Sequence, residues 1–131
     1  MEYYLFLDDE RFPHNVKWMH MPVYPWIVVR NFNEFKSTIE EKGIPKFISF
    51  DHDLADQHYQ AMLKECNGEK NVDYGTEKTG YDCAKWLVDY CLEHTYKIPD
   101  FQVHSLNPIG KENIETYLNN SAKYVYTLNR T

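Results

Sequence analysis

The chain has 131 residues, 43% hydrophobic and 26% charged, which is enough for one core and too little for two, so a single domain is expected. Fourteen Lys and Arg against twenty Asp and Glu give a formal net charge of -6, so no long-range field draws in a nucleic-acid duplex and duplex DNA binding is disfavoured. Aromatic residues at 16%, with no block of like charge and no low-complexity run, exclude wholesale disorder.

Tyr3 to Leu7 is short, apolar and uninterrupted, and it stops at Asp8-Asp9-Glu10-Arg11, as a strand buried on both faces does. Residues 12–25 carry Pro13, Pro22 and Pro25 without helical periodicity and read as irregular, up to a second, β-branched strand from Trp26 to Arg30. Asn31 with Glu34 has capping-box spacing, Phe35 and Ile39 share a helix face, and Gly43 then Pro45 end a helix over 32–42. Phe47 to Phe50 is the third strand, and it too runs straight into acid at Asp51-His52-Asp53. Residues 54–79 form a polar insertion with a weak helical hint around Gln57 to Glu65, which we read as a mobile cover over a site.

Thr79 with Asp82 is a second capping box, and Ala84, Leu87, Val88, Cys91 and Leu92 follow the helical period. Phe101 to Val103 is the fourth strand, leading into His104-Ser105. Asn107 and Pro108 then take the N-cap and first positions of a helix that buries Ile114, Tyr117 and Leu118 and ends near Asn119-Asn120. Tyr124 to Leu128 reads as a fifth strand. The pattern predicts an α/β flavodoxin-like, three-layer sandwich: a five-stranded parallel sheet in order 2-1-3-4-5 with helices on both faces. No apolar stretch is longer than a strand and no segment resembles a signal peptide, so neither a membrane span nor a membrane partner is expected. Cys66, Cys83 and Cys91 form no C-x-x-C pair, which points to reduced thiols and a cytoplasmic setting.

Ligands of such sheets bind beyond the carboxyl ends of the strands. Asp8, Asp9, Glu10 and Arg11 follow the first strand, Asp51, His52 and Asp53 the third, and His104 and Ser105 the fourth. Clustered carboxylates repel one another unless a cation lies between them, and Arg11 is the one positive side chain nearby. A divalent ion on Asp8, Asp9 and Asp51, with Asp53 as the alternative to Asp51, is therefore expected. All-oxygen ligands select Mg²⁺ or Mn²⁺. Zinc on His52, His58 and His104 would lack any recognised spacing.

The helix opening at Asn107-Pro108 turns its N–H groups toward the same edge and favours a phosphate, which Arg11, Ser105 and Asn107 would bind. His52, His104 and Asp53 are the candidate catalytic residues, the two histidines serving as base and acid. His14, His20, His58 and His94 read as ordinary surface histidines, and Tyr3, Tyr4, Phe6, Phe47, Phe50 and Trp86 as core.

Four motifs stand in order along the chain: Leu7-Asp8-Asp9-Glu10-Arg11; Ser49-Phe50-Asp51-His52-Asp53-Leu54; Thr79-Gly80-Tyr81-Asp82 through Trp86-Leu87; and His104-Ser105-Leu106-Asn107-Pro108-Ile109-Gly110 with Asn113-Ile114. In this order they resemble the cyclic-phosphate-processing receiver family. The resemblance implies a receiver-like fold and metal-assisted processing of cyclic phosphates on nucleotides or RNA ends. Phosphorelay receivers share the acidic pair but carry a lysine after their fifth strand, where this chain reads Leu128-Asn129-Arg130 and places Lys123 before the strand. Ala55 stands where the family commonly has Gly after D-H-D-L. Two readings follow: a metal-dependent phosphoesterase acting on a cyclic phosphate, and a non-catalytic receiver-like module binding a nucleotide or a protein partner through the same edge.

Overall fold

Four strand-sized apolar runs pair in parallel: β1 (Tyr4–Leu7), β2 (Trp26–Val29), β3 (Phe47–Phe50) and β4 (Asp100–Val103) form one sheet in the order β2-β1-β3-β4. The computed structural model describes residues 2–54 and 78–130, the side chains of 126–130 excepted. Leu5 lies opposite Ile27 and Ile48, and Leu7 opposite Val29 and Phe50, with Phe50 opposite Val103. The two-residue alternation of a strand therefore sends all of these to one face. That face packs against α1 (Phe32–Lys42) through Phe35 and Ile39, α2 (Gly80–His94) through Leu87, Val88 and Cys91, and α3 (Pro108–Arg130) through Ile114 and Leu118.

The caps predicted from sequence hold these helices. Asn31 Oδ1 accepts from the Glu34 N–H at 2.8 Å. The Glu34 carboxylate returns to the Arg30 N–H at 2.9 Å, one residue earlier than a strict capping box. Thr79 and Asp82 cap α2 reciprocally, and the Gly110 N–H donates to Asn107 Oδ1 at 3.0 Å at the start of α3. The bounds of α1 match those read from the sequence, and α2 starts directly after the expected cap, Thr79.

Two expectations need correction. Among the described residues the helices pack into the core on one face of the sheet, not on both. The other face carries Tyr4, Phe6, Trp26 and Phe47 and is covered by the segment 12–25, where Tyr24 stacks on Tyr4 and Met21 accepts from Gln102. Prolines 13, 22 and 25 explain this, since each removes an N–H and fixes φ; only a 3-10 turn forms there, at Pro13–Asn15.

The second correction is the fifth strand: Tyr124 to Leu128 belongs to α3, which runs on past Asn119-Asn120 to Arg130. Neither Gly nor Pro follows the two asparagines, and Ile114, Leu118, Ser121 and Val125 keep helical spacing, with Val125 buried. A continuing helix thus overrides the β-branched and aromatic composition. Leu128-Asn129-Arg130 closes a helix, so it has no bearing on the place of the phosphorelay lysine. The fold is the receiver-like or flavodoxin-like α/β fold expected, with four strands described. No described helix is long and apolar enough to cross a membrane. Of the polar insertion, residues 55–77 lie outside the described residues, and with them the helical hint, Ala55, His58 and Cys66.

Candidate active site

Three of the strands, β1, β3 and β4, end one residue before a polar side chain whose own N–H still continues the ladder. The Asp8 N–H donates to Val29 O at 3.1 Å, the Asp51 N–H to Leu7 O at 2.9 Å and the His104 N–H to Phe50 O at 2.9 Å. Asp8, Asp51 and His104 are thereby set side by side at the carboxyl edge. All three are buried, and one ligand atom of each lies within 4.8 Å of the others. Above them opens a cleft of about 420 Å³, walled by Asp9, Arg11, Asp51, Asp53, Ser105 and Asn107 among others.

Asp8 is the most fully engaged member. Its Oδ1 accepts from the N–H groups of Glu10 at 3.0 Å and Arg11 at 2.8 Å, and its Oδ2 from His104 Nε2 at 3.0 Å and the Arg11 guanidinium at 3.4 Å. Burial opposes its ionisation, but the bonds from His104, Arg11 and Glu10 outweigh it and hold the pKa down to about 2. Arg30, which sequence reading left at a strand end, donates to the carbonyls of Asp8 at 3.1 Å and Arg11 at 2.6 Å and so pins the acidic turn.

Asp51 is the opposite case. Burial and then the charge of Asp8 push its pKa up to about 7, with Asp9 adding to the rise and the His52 N–H and Arg11 opposing it. A buried carboxylate repelled by two others is what a bound dication relieves, so the donor set fits Mg²⁺ or Mn²⁺. A zinc site on histidines is not supported among the described residues: both ring nitrogens of His104 face Ser49 and Asp8, and the candidate ligand group contains no other histidine. Cys83 and Cys91 are buried on α2, where burial raises both thiols, and neither belongs to the candidate ligand group.

His52 and Asp53 form a pair at the cleft, with Nδ1 2.8 Å from Asp53 Oδ1. An ionised carboxylate only accepts, so Nδ1 carries the proton and Nε2 is the nitrogen able to take up or deliver one. Asn107 donates its amide to both Asp53 oxygens at 3.3 Å, and Ser105 Oγ accepts the Asn107 N–H at 3.1 Å, leaving its own hydroxyl proton to donate.

Two motif glycines are explained by close approach. A Cβ on Gly110 would meet the His52 ring at 2.3 Å, and one on Gly80 would overlap the Asp51 carbonyl oxygen. Each glycine lets a helix N-terminus reach the end of β3.

Most of the residues singled out from sequence are therefore brought together: Asp8, Asp9, Arg11, Asp51, Asp53, Ser105 and Asn107 at or beneath the cleft, with His52 beside Asp53. His104 lies below it, fully buried, its ring stacked 4.5 Å from Phe6. Sequence reasoning overlooked Arg30, Trp18, Ser49 and Gln102. Trp18 donates its indole N–H to His104 O at 2.9 Å and lies under the Arg11 guanidinium, 5.3 Å from the ring centroid. Ser49 stood in a motif and had that signal, whereas the other three had none.

The sequence model of the cyclic-phosphate processing receiver domain matches residues 3–120. The chain belongs to that family. Its match takes in all four strands and the first half of α3, and includes every residue placed at the cleft. No curated protein and no solved structure matches the chain.

Proposed function

We propose that this receiver-like domain is a metal-dependent phosphoesterase that opens a cyclic phosphodiester on a nucleotide or an RNA end. One observation carries the reading: His52 lies 2.8 Å from Asp53, which lines a cleft that Asp51 of the tight, buried Asp8–Asp51–His104 group also lines. Asp8, Asp9 and Asp51 would hold a divalent cation, which when bound supplies Lewis-acid polarisation of a phosphoryl oxygen.

The chain's own residues do the rest. The opening turn of α3 and the Ser105 hydroxyl receive phosphate oxygens, with Arg11 adding positive charge across the cleft. His52 Nε2 takes a proton from the attacking water and returns it to the departing ribose oxygen, while Asp53 fixes the ring and its tautomer. His104, buried and bonded at both nitrogens, does not meet substrate; it positions Asp8. The paired histidines read from sequence thus divide into one proton carrier and one support.

The second reading, a non-catalytic module that binds a nucleotide or a protein partner through this edge, draws on Leu106 and Ile109, which are 61% and 72% exposed beside the cleft. A screen of 2′,3′-cyclic nucleotides, 3′,5′-cyclic nucleotides and cyclic-phosphate-ended oligonucleotides with Mg²⁺ or Mn²⁺ separates the two. Turnover lost in Asp51→Asn supports the esterase, and binding without turnover of any substrate supports the module.

A further inference from the structure

Beneath the cleft a line of buried or half-buried polar side chains crosses the sheet from the segment 12–25 to Asp8. Gln102 Nε2 lies 2.9 Å from Met21 Sδ and 3.1 Å from Ser49 Oγ. Ser49 Oγ lies 2.7 Å from His104 Nδ1, and His104 Nε2 lies 3.0 Å from Asp8 Oδ2. Ser49, His104 and Asp8 are fully buried, so no water substitutes for a missing partner.

With the His104 ring neutral, the direction of every bond in this line follows from its partners. A thioether only accepts, so the Gln102 atom facing Met21 is the amide nitrogen, which then also donates to Ser49. Ser49 has one proton and the amide nitrogen cannot accept it; that proton goes to His104 Nδ1. Nδ1 accepts, so the ring carries its proton on Nε2 and gives it to Asp8, which as a carboxylate can only accept. Phe6, stacked at 4.5 Å and 6°, holds the ring plane in which this line runs.

We propose that Gln102 and Ser49 are positioning residues for the cation site: through the His104 tautomer they hold the Asp8 carboxylate, and with it its negative charge, in one orientation beside Asp51. The inference rests on the cation site of the proposed function. It accounts for two motif positions, Ser49 and His104, that contact no substrate. Partners of this kind typically change metal affinity about 10- to 100-fold.

The test measures Mn²⁺ affinity by calorimetry, cation-free stability by urea unfolding, and the His104 tautomer from its ring ¹⁵N shifts, in wild type, Ser49→Ala, Ser49→Thr and Gln102→Leu. Affinity about tenfold weaker or worse in Ser49→Ala, a smaller loss in Gln102→Leu, and recovery in Ser49→Thr are expected, with the Nε2–H tautomer lost only where the hydroxyl is lost. A merely structural serine would lower stability and leave affinity and tautomer unchanged, which overturns the proposal. If wild type binds no cation, the cation site itself fails and the ring shifts decide: a tautomer unchanged in Ser49→Ala overturns the line, and a changed one upholds it as the support of Asp8.

Discussion

The turn after β1 and the turn after β3 present an aspartate each at neighbouring strand ends, and the protein treats them differently. Asp8 receives four donors and is held ionised far below neutrality, whereas for Asp51 burial and the charge of Asp8 outweigh the His52 N–H and Arg11, so it keeps its proton to about pH 7. The difference teaches that one turn is built to be stable and the other to be completed. Asp8 is satisfied by protein groups alone, while Asp51 reaches its charged state at neutral pH most readily with a cation beside it. The turn after β3 also carries the His52–Asp53 pair, so on the proposed function the groups assigned to the chemistry cluster where the fold leaves needs unmet.

Four measurements sharpen or break this comparison. The largest effect is expected for chemistry in the turn after β3: once a substrate is found, His52→Ala should lower turnover by about 10² to 10⁴ while the melting temperature in the absence of cation stays near wild type. A variant that unfolds instead would show that His52 is structural, packed as it is against Gly110.

In the turn after β1 the effect should fall on stability. Asp8→Ala leaves His104, Arg11 and two N–H groups without their acceptor, and urea unfolding should show a loss of about 3–5 kcal/mol. His104→Ala should follow the same pattern, because its neighbours Ser49 and Asp8 are buried with it. Asp51→Asn, measured alongside at pH 8 without cation, should cost nothing or stabilise. Equal losses from Asp8→Ala and Asp51→Asn would erase the distinction between the turns.

Cation binding should then raise the stability of wild type by about 2.7 kcal/mol at a free Mn²⁺ concentration of about 100 Kd. Asp51→Asn or Asp9→Asn should abolish the rise, as read from melting curves with and without the ion. A rise unchanged in both variants would remove the cation from the cleft.

Per step of the condition varied, pH has the smallest effect. The folded pKa of Asp51, raised to about 7, makes its contribution full below the unfolded value near 3.8 and lost as pH climbs toward 7, by at most about 1.4 kcal/mol per unit. Asp8, depressed to about 2, contributes above 3.8 and loses that contribution as pH falls toward 2. Cation-free unfolding followed from pH 4 to 7 should therefore show a falling component that Asp51→Asn removes. Absence of any difference between wild type and Asp51→Asn over that range would show that Asp51 ionises normally.

Much of the site was legible in the sequence because its members are local. Each acidic run directly follows a strand-sized apolar run, so strand ends could be read one at a time, and strand order in α/β sheets carries them to one edge. Caps were legible for the same reason, since Thr79 with Asp82 and Asn107 with Gly110 act over three residues. Misreadings arose where composition and packing disagreed. Tyr124 to Leu128 has strand composition but continues α3, with Val125 buried, and the first connection, rich in proline, covers a sheet face with no more than a 3-10 turn.

The sequence by itself determined four of the five strands read from it, the order in which those four assemble, and which edge of the sheet carries acids, histidines and a helix N-terminus. All of these follow from apolar period and chain direction. Only the tertiary structure decided what each side chain does there. Asp8 and His104 are separated by 96 residues and Ser49 and His104 by 55, and nothing local to any of them states who donates to whom. Charge state and tautomer depend on burial and on partners brought from other strands; that is why Asp8 and His104 are bonded to each other in the interior while His52 pairs with Asp53 and Asp51 keeps fewer donors.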